Sequence, residues 1–258
     1  MPCVSIGEAR YFYQSTPEHR TAELPSLILL HGSGGDSSVW EAQIRGLGEG
    51  LRTIAPDLPG HGKSTGPCYT AISDYTAWLD MFVKHVRIKK FFLLGHSLGG
   101  AIAQEYSRSA PQQVRGLILA GSGMRFTIAH EYLETVTHDF PAAVRASCQA
   151  AYAADHISIF YERGYALLSR NGKDTLYNDL VACAAFDSRA WISSVGLPVL
   201  VICGSEDMIT PPLSSRALAS AIPGARLKMI AGAGHMLMME AAAEFNEAVK
   251  EFITGADR

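Results

Sequence analysis

Apolar residues recur along this chain in two rhythms. Residues 26–30, 52–55, 91–94, 114–120 and 199–203 are compact apolar-rich segments of strand length, and 226–230 is a weaker one. Residues 10–14 read as a further strand. Between them, 72–86 places Trp78, Leu79, Phe82 and Val86 at helical spacing. Residues 101–109 are helix-like, and 241–253 closes the chain with Phe245, Val249 and Phe252 on one helical face. Apolar strands separated by amphipathic helices predict a mostly parallel sheet covered on both faces. From 124 to 190 the helical periodicity continues without a convincing strand. That block predicts an all-helical insertion lying over the sheet edge. Its aromatics, among them Phe126, Tyr132, Phe140, Tyr152 and Phe160, either pack a small core of their own or line a pocket.

Composition narrows the class. The chain has 258 residues, of which 48% are apolar and 18% charged, with a net charge of −3. It is too apolar and too weakly charged for a disordered protein. The near balance of charge argues against a nucleic-acid partner, which calls for a basic excess. The apolar runs fall far short of the ~20 residues that span a bilayer, so no membrane insertion is expected. The first residues have neither the basic nor the apolar region of a secretory leader. Five cysteines (Cys3, Cys68, Cys148, Cys183 and Cys203) form no C-x-x-C pair. Together these features predict reduced thiols in a cytoplasmic protein. Nothing in the pattern speaks to oligomeric state.

The candidate chemistry centres on Gly95-His96-Ser97-Leu98-Gly99-Gly100, which fits G-x-S-x-G. A second match, Gly62-Lys63-Ser64-Thr65-Gly66, lacks a preceding strand end. Ser97 follows an apolar strand and precedes a helix, the setting in which a sharp turn lifts a serine into a cleft. A serine hydroxyl needs a base and a group that orients the base. Of nine histidines, His31, His61 and His96 sit in Gly-rich turns. His19, His85, His130, His138 and His156 lie in helical or polar surroundings. His235 lies in the small-residue loop Ala231-Gly232-Ala233-Gly234-His235, between the last strand and the last helix, and is the predicted base. Asp207, just past the strand at 199–203, is the predicted acid, with Glu206 as its rival. Asp187 lies in the helical block. Oxyanion donors are expected from the Leu98 amide and from the loop His31-Gly32-Ser33-Gly34-Gly35. No phosphate-binding G-x-x-x-x-G-K-[ST], complete G-x-G-x-x-G, H-x-x-x-H or cysteine cluster is present, so neither cofactor nor metal is expected.

With those residues in hand, the chain resembles the α/β-hydrolase fold superfamily. The resemblance rests on His31-Gly32, Asp57-Leu58-Pro59-Gly60-His61-Gly62-Lys63-Ser64, the elbow at 95–100, Gly204-x-x-Asp207 and Gly234-His235, in that order. It implies an α/β fold with an eight-stranded, mostly parallel sheet whose second strand is antiparallel. It also implies a core of residues 1–123 and 191–258, with a helical cap at 124–190 between strands six and seven. Ser33 is implied as the second oxyanion donor, with Gly34 as the alternative.

The chain looks most like small carboxylesterases, enol-lactone hydrolases and pimeloyl-carrier methyl esterases. The expected activity is that of a serine hydrolase cleaving an ester or lactone of a small, largely apolar substrate through an acyl-enzyme. Carbon–carbon bond hydrolysis, perhydrolase or lyase chemistry on the same residues are alternatives, as is a non-catalytic binding protein. Met236 after the histidine, where carbon–carbon bond hydrolases often carry Trp, weakens the first of these. Trp40, Met124, Phe126, Phe140 and Met236 are the candidate substrate contacts.

Overall fold

The computed structural model describes residues 2–16 and 24–256. His19 lies outside the described residues. The strands are β1 (Cys3–Ile6), β2 (Ala9–Ser15), β3 (Ser26–Leu30), β4 (Arg52–Pro56), β5 (Phe91–His96), β6 (Val114–Ala120), β7 (Val199–Gly204) and β8 (Arg226–Ile230). They form one eight-stranded sheet in the order β1-β2-β4-β3-β5-β6-β7-β8. β2 runs antiparallel to both β1 and β4, and every other pairing is parallel. The eight-stranded, mostly parallel α/β architecture expected from the resemblance is therefore present. β1 has no counterpart in the sequence reading, because four alternately half-buried residues carry little apolar signal.

The apolar runs lie in the middle of the sheet for a simple reason: both faces are covered. Alternate side chains of a strand point to opposite faces. Ile28, Leu30, Leu93, Leu117, Leu119 and Val201 join one core. Leu27, Leu29, Phe92, Leu94, Ile118 and Ile202 join the other. The first core is roofed by α2 (Ile72–His85), α3 (Leu98–Ser109) and α8 (Pro212–Ala221), and the second by α1 (Glu41–Leu47), α9 (Leu237–Glu240) and α10 (Ala242–Ala256). Each fully buried Leu, Ile or Phe contributes about 1.5–3 kcal/mol relative to exposure.

Between β6 and β7 the chain makes four α-helices: α4 (His130–His138), α5 (Phe140–Ala151), α6 (Ile157–Asn171) and α7 (Lys173–Ala185). No strand interrupts them; a lone antiparallel bridge, Arg125 to Asp187, closes their base. Val136, Ala143, Leu176 and Leu180 form their own small core. Among the described residues no helix is long and apolar enough to cross a membrane. All five cysteines are unpaired.

Candidate active site

The site lies where β3, β5, β7 and β8 end. Ser97 follows β5 directly, with φ 52° and ψ −115°. Positive φ is costly for a residue with a Cβ, and its persistence here means the surroundings over-determine it. Two glycines permit the turn. A Cβ on Gly95 would run into the Gly99 carbonyl, and one on Gly99 into the Leu30 and His31 carbonyls. α3 begins at Leu98, whose N–H, as the first of the helix, has no acceptor within it.

Past β7, Asp207 is almost fully buried. Its Oδ1 accepts the Ile209 and Thr210 N–H groups at 2.9 and 2.8 Å. Its Oδ2 accepts the Thr210 hydroxyl at 2.8 Å and His235 Nδ1–H at 2.8 Å. Burial alone would raise this carboxyl, but the facing His235 ring and the Thr210 donors hold it below the usual carboxylate range. With Nδ1 held by Asp207, the His235 ring presents Nε2 as its remaining nitrogen. Ser97 and His235 line the same cavity, although no hydrogen bond joins the two side chains in this structure. Such contacts often tighten only with substrate bound. Glu206, the rival acid, is exposed, and Asp187 is bound to Arg189 at the base of the helical insertion.

Three more histidines, His96, His31 and His61, are held around this point. His96 donates from Nε2 to the His235 carbonyl at 2.9 Å, while its Nδ1 is buried without a partner. Burial, then the adjacent His235, push His96 down to about 3. His31 accepts the Leu58 N–H on Nε2 at 3.0 Å and faces the Gly32 carbonyl with Nδ1 at 2.9 Å, which makes it neutral. Burial, then the nearby His61, lower its pKa as well.

The loop after β3 supplies a second edge. The Gly34 N–H is already engaged by Asp179 Oδ2 at 2.8 Å, and the Gly34 and Gly35 carbonyls accept from Asn171 Nδ2 at 2.8 and 2.7 Å. Ser33 faces the cavity, with its Oγ 3.7 Å from Cys183 Sγ. Burial pushes the Cys183 thiol up to about 12, so it stays protonated. Ser64, in the second G-x-S-x-G, is a structural residue: its hydroxyl donates to the Asp57 carbonyl and accepts the Phe12 N–H.

The cavity has a volume of about 420 Å3. Its wall combines Gly32, Ser33, Ser97 and His235 with side chains from the helical insertion. Among the described residues it includes no Asp, Glu, Lys or Arg. Of the substrate contacts expected from sequence, Phe126 and Met236 line it. Trp40, Met124 and Phe140 do not, and this corrects the expectation. Trp40 is fully buried in the second core against Phe245. Met124 packs on the first core, and Phe140 on the insertion's own core. Leu98 is buried beneath the wall, so only its amide could serve the site. Among the residues missed by sequence are Ile128, Leu167, Leu168, Leu176 and Leu180 in the wall, and Thr210 behind Asp207, while Tyr132 and Tyr152, two of the aromatics expected to pack a core or line a pocket, line it. The spacing Leu176, Leu180, Cys183 marks one helical face, a signal that identifies an apolar side but not what it faces. Among the described residues, no three His, Cys, Asp or Glu side chains gather to hold a metal ion.

A parallel sheet with a strained serine after β5, and an Asp–His pair after β7 and β8, defines the class as a hydrolytic enzyme. The chain belongs to the alpha/beta hydrolase fold family, whose sequence model matches residues 25–242. It is 29% identical over 252 residues to the putative carbamate hydrolase RutD of Agrobacterium fabrum, covering 92% of this chain and 96% of that one. The solved structure of a thermophilic esterase matches with TM-score 0.87 at 28% identity, covering 99% of this chain and 97% of the esterase. The enol-lactonase of Burkholderia xenovorans LB400 matches with TM-score 0.90 at 22% identity, over 98% of this chain and all of that one (100%), a likeness of fold alone.

Proposed function

We propose that the protein hydrolyses uncharged carboxylic esters or lactones with an apolar acyl part, through an acyl-enzyme on Ser97. The observation that carries this reading is one cavity in which Ser97 and His235 meet the Gly32–Ser33 edge, within a wall to which the described residues contribute no Asp, Glu, Lys or Arg. His235 Nε2 takes the Ser97 proton as Oγ attacks the carbonyl carbon. The Leu98 and Ser33 amides stabilise the oxyanion. Ser33 is favoured over Gly34 because the Gly34 N–H is held by Asp179. His235 then protonates the leaving alkoxide and deprotonates the water that releases the acid. Asp207 and Thr210 hold the ring in the tautomer that leaves Nε2 free to act.

A largely apolar wall to which the described residues contribute no Lys or Arg disfavours substrates carrying a carboxylate, whose desolvation would go uncompensated. Carbamate esters present the same kind of carbonyl and belong in the substrate panel, given the RutD relative. The test is a series of p-nitrophenyl esters of rising chain length, with labelling by a fluorophosphonate read by intact mass. The wild type is expected to turn over the esters and gain one adduct. Ser97→Ala is expected to lose the adduct and at least ~10³-fold in kcat. A wild type that neither labels nor turns over would leave a binding protein on a hydrolase scaffold and refute the proposal.

A further inference from the structure

One carboxylate outside the Ser97–His235–Asp207 set joins the helical insertion to the oxyanion loop. Asp179 projects from α7 with no exposed side-chain surface. Its Oδ1 accepts the Tyr75 hydroxyl at 2.6 Å. Its Oδ2 accepts both His61 Nε2–H and the Gly34 N–H at 2.8 Å. Three segments remote in sequence, α2, the loop after β4 and the loop after β3, therefore converge on one side chain of the insertion.

The hydrogen bonds also fix the charge on His61. Its Nδ1 lies 2.9 Å from the Pro59 carbonyl, so both ring nitrogens face acceptors and both carry protons. Burial alone would remove one proton, but the Asp179 carboxylate holds His61 above its ordinary pKa. The pair is thus an imidazolium and a carboxylate with no net charge. That neutrality matters beside a site where negative charge develops. An unbalanced carboxylate one peptide away from Ser33 would oppose the oxyanion through low-dielectric surroundings.

From this arrangement we infer that Asp179 is a positioning residue: by holding the Gly34 N–H, it orients the Ser33–Gly34 peptide so that Ser33, and not Gly34, offers its amide to the oxyanion beside Leu98. Asn171, at the end of α6, holds the two following carbonyls of the same loop. The oxyanion edge is therefore set from the insertion side, and the insertion's seating on the sheet becomes a condition for transition-state stabilisation. The inference rests on the proposed ester hydrolysis with Ser33 and Leu98 as donors.

The test compares wild type, Asp179→Asn and Tyr75→Phe with p-nitrophenyl butyrate, and with butylboronic acid as a probe that forms an anionic tetrahedral adduct on the serine. Circular dichroism establishes that each variant is folded. In Asp179→Asn, kcat is expected to fall ~10–100-fold, the range set by a displaced oxyanion donor. KM should stay within about threefold, and boronate affinity should fall in parallel with kcat/KM. Tyr75→Phe removes one of the three bonds and should lower kcat by roughly two- to tenfold.

A folded Asp179→Asn with unchanged kcat, or with only KM raised, overturns the inference. If that variant does not fold, an unchanged kcat in Tyr75→Phe overturns it. A wild type that takes neither ester nor boronate overturns the hydrolytic reading and this inference with it. A reactive wild type beside an equally reactive Asp179→Asn overturns the inference alone.

Discussion

Replacing His96 by glutamine tests how far one buried neutral histidine limits stability in acid. His96 is 2% exposed. Its Nε2–H donates to the His235 carbonyl, and its Nδ1 has no acceptor to receive a second proton. Burial and then His235 lower its pKa from 6.5 to about 3. The unfolded chain takes up this proton as the pH falls through 6.5, whereas the native chain resists until about 3. Native stability is therefore lost on acidification across that interval. At about 1.4 kcal/mol per unit, this side chain alone removes roughly 2–3 kcal/mol between pH 7 and 4.5. That is a large share of a typical net stability of about 5–15 kcal/mol.

In His96→Gln the amide can still donate to the His235 carbonyl, and it never titrates. Urea unfolding of both proteins at pH 7 and 4.5 should show the wild type losing roughly 2–3 kcal/mol more than the variant. His61 works in the opposite sense: its raised pKa adds stability that is full below its unfolded value and disappears as pH rises through the folded one. That contribution is common to both proteins and cancels in the comparison. Equal losses, within about 0.5 kcal/mol, would refute the reasoning.

Two further predictions concern turnover. Thr210→Val removes the hydroxyl that donates to Asp207 and lies 3.2 Å from His235 Nδ1. It should lower kcat on p-nitrophenyl butyrate by up to ~10-fold, the scale of one neutral hydrogen bond; an unchanged kcat would show that Asp207 needs no such support. Leu168→Phe should narrow the cavity and move the preferred acyl chain to shorter esters, by roughly 10–200-fold in relative kcat/KM per methylene excluded. An unaltered chain-length profile would place the acyl chain elsewhere.

The sheet was legible because its strands are covered on both faces, which makes them nearly continuous apolar runs such as Leu27–Leu30 and Val199–Cys203. The serine was legible because the turn geometry demands glycine at 95 and 99, and such a demand is written in the chain itself. Asp207 and His235 followed from their place after strands, and the structure brings those two within 2.8 Å. The cavity wall was not legible. Trp40 follows the loop after β3 closely in sequence, yet its ring is buried in the second core against Phe245. Phe140 opens α5 and faces the insertion's own core. Whether an apolar helical face looks inward, at a neighbour or at a pocket depends on how the insertion sits on the sheet, a long-range fact that periodicity does not carry.

Asp179 did leave a trace: an acid within the apolar spacing Leu176, Leu180, Cys183. A carboxylate on a buried face must find donors, and the chain provides them from three distant segments. The histidines carry the same lesson further. Four of them surround the site, and the sequence treats them as one residue type. Their partners assign each a different role. Leu58 and Gly32 make His31 neutral with its proton on Nδ1. The His235 carbonyl makes His96 neutral with its proton on Nε2. Asp179 and Pro59 give His61 both protons. Asp207 accepts the Nδ1–H of His235 and leaves its Nε2 for the cavity, whereas the unpartnered Nδ1 of His96 is buried. A base is thus selected by what the other rings have already bonded, most of it backbone, and backbone partners exist only once the sheet has formed. That is why the proposed base could be picked from its loop, while the tautomer proposed for it had to come from the fold.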